Sequence, residues 1–198
     1  MATPRRVVLA TGNVGKLREF SALLAPLGWE VISQSSLGIT PAEETGTTFE
    51  ANALLKARHA AAAARLPAMA DDSGIEVDAL GGRPGVFSAR YAGPGADDAA
   101  NNALLLTELA GQPDAARTAR YRCVIAFVDC ADDPAPLLAR GSWEGRIGTL
   151  ARGSGGFGYD PLFYPQGLAV TAAEMDPAAK NAVSHRGRAL AELLRLMR

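Results

Sequence analysis

The pattern of apolar and polar positions predicts strands and helices in turn along most of the chain. Val7 to Ala10 is a short apolar run, and apolar residues then recur at spacings of three and four up to Leu27, which indicates a strand, a loop and a helix. Helical patterns return at 48–65, at 97–110 and near the C-terminus, and strand-like runs cover 30–33, 120–129, 137–143 and 145–150. Because the last runs indicate an antiparallel continuation, we expect an α/β fold with a mixed sheet.

One stretch breaks this pattern, where an apolar approach from Pro67 ends in Asp71-Asp72-Ser73-Gly74. If 67–70 is a buried strand, successive side chains point to opposite faces, so only one of the two carboxylates can enter a given pocket. The other carboxylate must then cap backbone N–H groups or form an ion pair. An ordinary Asp/Ser/Gly turn at a strand end, followed by a second strand at 75–80, explains the same residues equally well.

The loop Thr11-Gly12-Asn13-Val14-Gly15-Lys16 opens onto the first predicted helix. Unpaired amides and the positive end of the helix dipole make such a turn a site for an anion, and Lys16 adds a positive charge. Phosphate is the natural ligand, and a plain glycine turn is the alternative. The loop differs from a Walker loop, because Leu17 stands where a magnesium-binding Ser or Thr would be needed.

A polar loop ahead of the second predicted helix carries two more carboxylates, Glu43 and Glu44. Thr47 and Glu50 have the spacing of a capping box, which predicts that the helix begins there. His59 in this helix is expected to be a surface residue rather than a ligand. Glu43 and Glu44 could be solvated loop charges, but the nearby Asp-Asp pair favours a shared acidic site.

The segment 153–161 contains four glycines together with Phe157 and Tyr159. It is too rich in glycine for a packed helix or strand and too aromatic for a flexible linker. We expect a flat group to stack on this segment.

The composition bounds the class of protein. With 198 residues the chain is long enough for one full core, and we expect a single domain over 1–198. Hydrophobic residues make up 48% and charged residues 21%, with a net charge of -1, so we expect a soluble globular protein with no nucleic-acid partner. The chain shows no membrane-length apolar run and no signal peptide, which predicts a cytoplasmic protein without membrane association. Cys123 and Cys130 lie too far apart on one predicted strand to form a disulfide bond.

Five blocks of residues resemble those of the inosine/xanthosine triphosphate pyrophosphatases, a family that acts on non-canonical purine nucleotides. In chain order they are Thr11-Gly12-Asn13-x-x-Lys16, Glu43-Glu44-x-Gly46, Asp71-Asp72-Ser73-Gly74, Gly156-Phe157-Gly158-Tyr159-Asp160-Pro161 and Lys180-x-x-x-Ser184-His185-Arg186. One block alone would be weak evidence. Five blocks in family order across nearly the whole chain are specific, and none departs from the family pattern.

The resemblance implies an elongated α/β fold, with a mixed sheet flanked by helices and two lobes around a central nucleotide cleft. It also implies hydrolysis of ITP, dITP and XTP to the monophosphate and pyrophosphate, with Mg²⁺ as the cofactor. Such enzymes remove deaminated purines from the nucleotide pool, usually as homodimers.

The resemblance also assigns roles to residues. Glu43 and Asp72 would hold magnesium, and Asp72 would accept the proton of the attacking water. Phe157 would stack on the base, and His185 with Arg186 would reach the edge of the base. The other substrate contacts implied by the resemblance are Thr11, Gly12, Asn13, Val14, Gly15, Lys16, Ser73, Gly158, Tyr159, Asp160 and Lys180.

Two alternatives stay open from the sequence. The first is a nucleotide-binding module that holds a phosphate ligand without hydrolysing it. Carboxylates beside a polyphosphate repel it unless a cation intervenes, and the four carboxylates therefore favour catalysis. The second is a related pyrophosphatase for pyrimidine or modified nucleotides, which only the base specificity would distinguish.

Overall fold

The computed structural model describes residues 5–198, and six strands within them form one sheet in the order β2-β1-β3-β4-β5-β6. The strands are β1 (Arg5–Leu9), β2 (Trp29–Ser33), β3 (Ala68–Val77), β4 (Thr118–Val128), β5 (Leu137–Ile147) and β6 (Phe163–Pro165). β1 pairs in parallel with β2 and β3, whereas β5 and β6 are antiparallel. The predicted α/β class and the mixed sheet are therefore confirmed.

Five α-helices accompany the sheet in the described chain. They are α1 (Val14–Leu24), α2 (Phe49–Ala64), α3 (Asp98–Glu108), α4 (Pro177–Val183) and α5 (His185–Leu196). Polar side chains cap the first four helices by accepting backbone N–H groups of the first turn, and these caps are Asn13, Thr48, Asp97 and Asp176. No helix within residues 5–198 combines the length and apolar character needed to cross a membrane.

The capping box predicted for α2 is wrong by one residue. Thr48, and not Thr47, is the N-cap, and its Oγ1 accepts a hydrogen bond of 3.1 Å from the Ala51 amide. Glu50 is then the second residue of the helix, one position too early to bond back to the cap.

Strand β3 is a single strand of ten residues, Ala68–Val77, and contains the whole Asp71-Asp72-Ser73-Gly74 motif. The turn alternative is therefore wrong. The strand predicted at 75–80 is correct up to Val77 as the end of β3, and Asp78–Leu80 forms a short 3₁₀ turn. The physical reason is the position of β3 between β1 and β4, where eight of its ten residues are buried. Burial of the interior strand outweighs the local turn preference of Asp, Ser and Gly.

Strand β5 likewise runs without a break through Gly145, where two segments were predicted. A Cβ at Gly145 would lie 2.3 Å from the Tyr164 carbonyl oxygen and 2.6 Å from the Phe163 ring. The glycine therefore permits β6 to approach closely and is not a strand breaker.

The described chain divides into two compact units, and the boundaries between them fall inside β3, β4, β5 and α5. The first unit contains the described residues up to Asp72, Val124–Ala139 and Glu192–Arg198, and the second contains Ser73–Cys123 and Arg140–Ala191. The core of the first includes Val7, Val8 and Leu9 of β1 with Phe20 and Leu24 of α1. The core of the second includes Ile75, Val77, Leu105, Leu109, Tyr121, Trp143, Ile147 and Phe163. The single-domain assignment stays a prediction.

Cys123 is buried and Cys130 is exposed, and no disulfide bond joins them in the described chain. This agrees with the prediction made from their spacing.

Candidate active site

The two adjacent aspartates of β3 point in opposite directions and each meets a different lysine. Asp71 Oδ2 lies 2.7 Å from Lys16 Nζ, and Asp72 Oδ1 lies 2.9 Å from Lys56 Nζ. Both carboxylates are buried, with 1% and 6% of the residue exposed. A buried carboxylate is strongly destabilising unless it is paired, so each lysine compensates one charge. The predicted alternation of the two side chains is confirmed, and both carboxylates, not one, pair with a positive charge.

Two side chains of α2 hold the Asp72 carboxylate. Lys56 Nζ donates to Oδ1, and the Asn52 amide donates to Oδ2 over 3.2 Å. Burial raises the pKa of Asp72 above its ordinary value, and the positive charge of Lys56 offsets only part of this effect. Since each carboxylate oxygen has two lone pairs, Asp72 can still accept a further hydrogen bond from a water molecule. A raised pKa makes the carboxylate a stronger base toward that water.

Lys56 joins Asp72 to the acidic loop, because its Nζ also donates to Glu44 Oε1 over 2.8 Å. Burial by itself would lower the pKa of Lys56, but the negative charges of Asp72, Asp71 and Glu44 outweigh burial and raise it. Lys56 is therefore a permanent ammonium at neutral pH.

Sequence reasoning missed Asn52 and Lys56, although the sequence contains a signal for them. Both are polar residues on the helical stripe that also carries Phe49, Ala53 and Ala57, and those three are buried. A polar side chain in an otherwise apolar stripe needs a buried partner. That partner is Asp72.

The acidic loop is attached to α2 at three points along one helical face, through residues 52, 56 and 59. The Gly46 amide donates to Asn52 Oδ1 over 2.8 Å, and the His59 ring bonds the Thr40 carbonyl oxygen over 2.7 Å. A Cβ at Gly46 would lie 2.6 Å from Asn52 Oδ1, so only glycine permits this contact. His59 is exposed, in agreement with its prediction as a surface residue.

The two glutamates of this loop have different surroundings. Glu44 is half-buried and bonded to Lys56, whereas Glu43 is exposed. Glu44 therefore belongs to the hydrogen-bond network around Asp72. The assignment of Glu43 as a metal ligand stays a prediction.

A metal ion in this region would need substrate oxygens in addition to the carboxylates of the protein. Mg²⁺ in phosphate-transfer sites is usually held by one or two carboxylates together with substrate phosphates and water. In the part of the chain described, no group of three or more His, Cys, Asp or Glu side chains is placed to hold a metal ion. Asp72 and Glu44 each place an oxygen within 2.9 Å of the Lys56 ammonium, which offsets part of their negative charge.

The turn before α1 is stabilised by its own side chains. Thr11 Oγ1 accepts from the Asn13 amide, and Asn13 Oδ1 accepts from the Lys16 amide, each over 3.1 Å. Val14 and Gly15 follow as the first residues of α1. A Cβ at Gly12 would meet no described atom within 4 Å, so this part of the turn is open. The turn therefore has the geometry of a helix N-terminus with space for an anion.

The second unit brings four of the predicted residues together around the Phe157 ring. Lys180 Nζ lies 5.3 Å and Arg186 Cζ lies 5.4 Å from the ring centroid, within the range of a cation–π interaction. An Arg186 amino group also lies 3.4 Å from Ser73 Oγ. Lys180 and Arg186 are both buried, so their charges act in a medium of low polarity.

The buried Asp160 carboxylate bonds three neighbouring residues. Its Oδ2 accepts the Phe157 amide over 2.9 Å and lies 2.5 Å from Lys180 Nζ, while Tyr121 donates to Oδ1 over 3.3 Å. Burial, with the nearby Asp160 charge, raises the pKa of Tyr121 well above its usual value, so the phenol stays a donor. Gly156 must be glycine here, because its φ is +72° and a Cβ would lie 2.0 Å from Asp160 Oδ2.

Tyr159 and His185 are packed within the same unit. Tyr159 is buried and donates to the Ser88 carbonyl oxygen over 2.8 Å. The His185 ring stacks on Tyr121 with 4.6 Å between centroids and 8° between planes. Their predicted roles as substrate contacts stay predictions.

Comparisons with known proteins found relatives that match almost the whole chain. A model of the Ham1 family matches residues 7–196. A dITP/XTP pyrophosphatase from Thioalkalivibrio sulfidiphilus is 59% identical over 189 residues, which cover 96% of each chain. A dITP/XTP pyrophosphatase from Ralstonia nicotianae is 58% identical over 197 residues, which cover 98% of this chain and 97% of that one. Among solved structures, a HAM1 protein from Coxiella burnetii has a TM-score of 0.91 and 48% identity, with 98% of both chains covered.

These matches confirm the resemblance seen in the five sequence blocks, and they extend it over almost the whole length. The chain belongs to the Ham1 family.

Proposed function

We propose that this protein hydrolyses the triphosphates of deaminated purines, ITP, dITP and XTP, to the nucleoside monophosphate and pyrophosphate. The single observation that carries the proposal is the buried Asp71–Asp72 pair of β3, in which each carboxylate has its own lysine. Two relatives with 58% and 59% identity are named dITP/XTP pyrophosphatases, which supports this substrate class. Removal of such nucleotides from the pool would be its biological role.

The residues of the first unit suit the triphosphate and a metal. Glu43 and Asp72 would hold Mg²⁺, which when bound would neutralise phosphate charge and favour attack by water. Lys16 and the turn at 11–16 would hold phosphate oxygens, since an ammonium has three donors and Asp71 uses one of them. Asp72 would accept the proton of the attacking water, oriented by Asn52 and Lys56.

The residues of the second unit suit a purine base. Phe157 offers an aromatic surface for stacking, and Arg186 beside it offers only hydrogen-bond donors. Ser73, Lys180 and His185 would be further substrate contacts in this unit. The central cleft, the homodimer and the cytoplasmic location implied by the resemblance stay predictions.

The products test the proposal directly. With ITP as the substrate we expect equimolar IMP and pyrophosphate, because the attack is at the α phosphorus and breaks the bond to the β-phosphate oxygen. Ion chromatography with separate detection of phosphate and pyrophosphate measures both. Formation of the nucleoside diphosphate and orthophosphate would contradict the proposal.

A panel of nucleotides in the same assay separates the alternatives. Turnover confined to pyrimidine or modified nucleotides would favour the related pyrophosphatase. Binding of ITP without turnover at saturating Mg²⁺ would favour the non-hydrolytic module.

The two loop glutamates should respond differently to substitution. We expect Glu43→Gln to raise the Mg²⁺ concentration for half-maximal activity by at least about 10-fold, because disturbing a metal site usually lowers affinity by this factor. Glu44→Gln should have a smaller effect, because a glutamine oxygen can still accept the hydrogen bond from Lys56. Activity measured against Mg²⁺ concentration gives both values. The reverse order would identify Glu44 as the ligand.

A further inference from the structure

We propose that Asp98 and Asn102 of α3 are positioning residues for base recognition, acting through the backbone of Gly158. This inference rests on the proposed function, because it assumes that the neighbouring Phe157 stacks on the base. Neither residue belongs to the five sequence blocks. Their role would be to hold the loop at 156–158, which carries the Phe157 ring, in its binding conformation before the nucleotide binds.

Both polar groups of the Gly158 backbone are bonded to α3. Asp98 Oδ2 accepts the Gly158 amide over 2.6 Å, and Asn102 Nδ2 donates to the Gly158 carbonyl oxygen over 2.9 Å. Residues four apart lie on the same face of a helix, so both side chains can bond the Gly158 backbone from one face of α3. Gly158 has a φ of +63°, a left-handed conformation that glycine adopts without strain.

The two hydrogen bonds to Gly158 restrain the backbone on the C-terminal side of Phe157. The amide of Phe157 is already held by Asp160 Oδ2 over 2.9 Å, which fixes the N-terminal side. With hydrogen bonds before and after it, the Phe157 backbone has little freedom to reorient. A loop ordered in advance loses less conformational entropy on binding, and affinity for the base increases accordingly.

The two acidic residues at the start of α3 have different hydrogen-bond partners. Asp97 caps the helix, since its Oδ1 accepts the Ala100 amide over 2.8 Å. Asp98 is the next residue, and its carboxylate is therefore available for Gly158. A charged acceptor forms a stronger bond to a backbone amide than a neutral acceptor does.

Asn101 and Asn102 show that the contact with Gly158 is specific within α3. Asn101 uses both ends of its amide on the preceding loop, accepting from the Ala92 amide over 2.8 Å and donating to the Ala89 carbonyl oxygen over 3.3 Å. Asn102 uses its Nδ2 on Gly158, while its buried Oδ1 has no hydrogen-bond partner in the described chain. Asn101 is thus a matched structural control for Asn102.

The test compares the binding of two product probes, IMP and inorganic pyrophosphate, by isothermal titration calorimetry. For Asn102→Ala and Asp98→Ala we expect IMP affinity to fall about 3- to 10-fold, the factor that corresponds to one hydrogen bond. Pyrophosphate affinity should stay within about 2-fold of wild type. Asp98→Asn keeps a neutral acceptor and should recover part of the loss. In Asn101→Ala the thermal stability should fall, while the ratio of the two affinities stays as in wild type.

A double-mutant cycle with Phe157→Ala provides the second readout. If Asn102 acts through the Phe157 ring, Asn102→Ala should have almost no further effect on IMP affinity once the ring is absent. An equal loss of IMP and pyrophosphate affinity, or additive effects in the cycle, would overturn the inference. Wild-type protein that neither binds IMP nor hydrolyses ITP would instead reject the proposed function and the inference with it.

Discussion

Asp72→Asn should lower kcat/KM for ITP by about 10²- to 10⁴-fold, the range expected for loss of a positioned general base. The substitution removes the charge that would hold Mg²⁺ and the base that would accept the proton of water. It also leaves Lys56, whose Nζ lies 2.9 Å from Asp72 Oδ1, with a neutral neighbour in place of a carboxylate. Steady-state kinetics at saturating Mg²⁺ gives the change in activity, and circular dichroism reports whether the fold is kept.

The matched control for this variant is Asp78→Asn, the same chemical change in the residue that follows β3. Asp78 is exposed at the surface and pairs with Arg120 over 2.8 Å. Activity there should remain close to wild type. Near-normal turnover in Asp72→Asn with an unchanged fold would show that Asp72 is not the general base.

Arg186→Ala should lower the preference for ITP over ATP by about 10- to 100-fold. The Arg186 guanidinium is buried beside the Phe157 ring, with its Cζ 5.4 Å from the ring centroid, and arginine can only donate hydrogen bonds. A 6-oxo group accepts such a bond, whereas the 6-amino group of adenine would place two donors against each other. An unpaired buried polar group costs about 1 to 3 kcal/mol, which corresponds to this discrimination.

The measurement is kcat/KM for ITP, XTP, GTP and ATP in wild type and variant. Arg188→Ala is the matched control, because Arg188 lies on the same helix, is exposed and bonds the Ser142 carbonyl oxygen over 2.8 Å. Arg186→Lys keeps the buried positive charge and separates charge from donor geometry. If Arg186→Ala keeps the wild-type ratio of ITP to ATP, Arg186 is a phosphate contact or a structural residue.

Local sequence patterns predicted the elements of the fold well, because apolar periodicity and end signals act within a few residues. The helix α1 and the strands on either side of it follow from such signals. The cap of α2 was wrong by one residue. Thr47 and Thr48 have the same capping chemistry, and local sequence does not distinguish two adjacent threonines.

The extent of β3 depended on tertiary structure. Asp71-Asp72-Ser73-Gly74 has the composition of a turn, and a local pattern contains no information on how many neighbouring strands pair with it. Since β3 lies between β1 and β4, the motif remains extended inside the sheet. Asp72 is therefore held in a buried strand and not in a mobile loop.

By itself, the sequence determined that Asp71 and Asp72 would face opposite sides if the chain is extended there, because the side chains of a strand alternate with a period of two. Its five blocks also indicated the family, which the match over residues 7–196 confirms. Only the tertiary structure decided the partner of each carboxylate: Lys16 for Asp71, and Lys56 with Asn52 for Asp72. Asp71 and Lys16 are far apart in the chain, and so are Asp72 and Lys56. Contacts of this kind follow from the packing of helices against a sheet, which a pattern with a period of two or 3.6 residues does not encode.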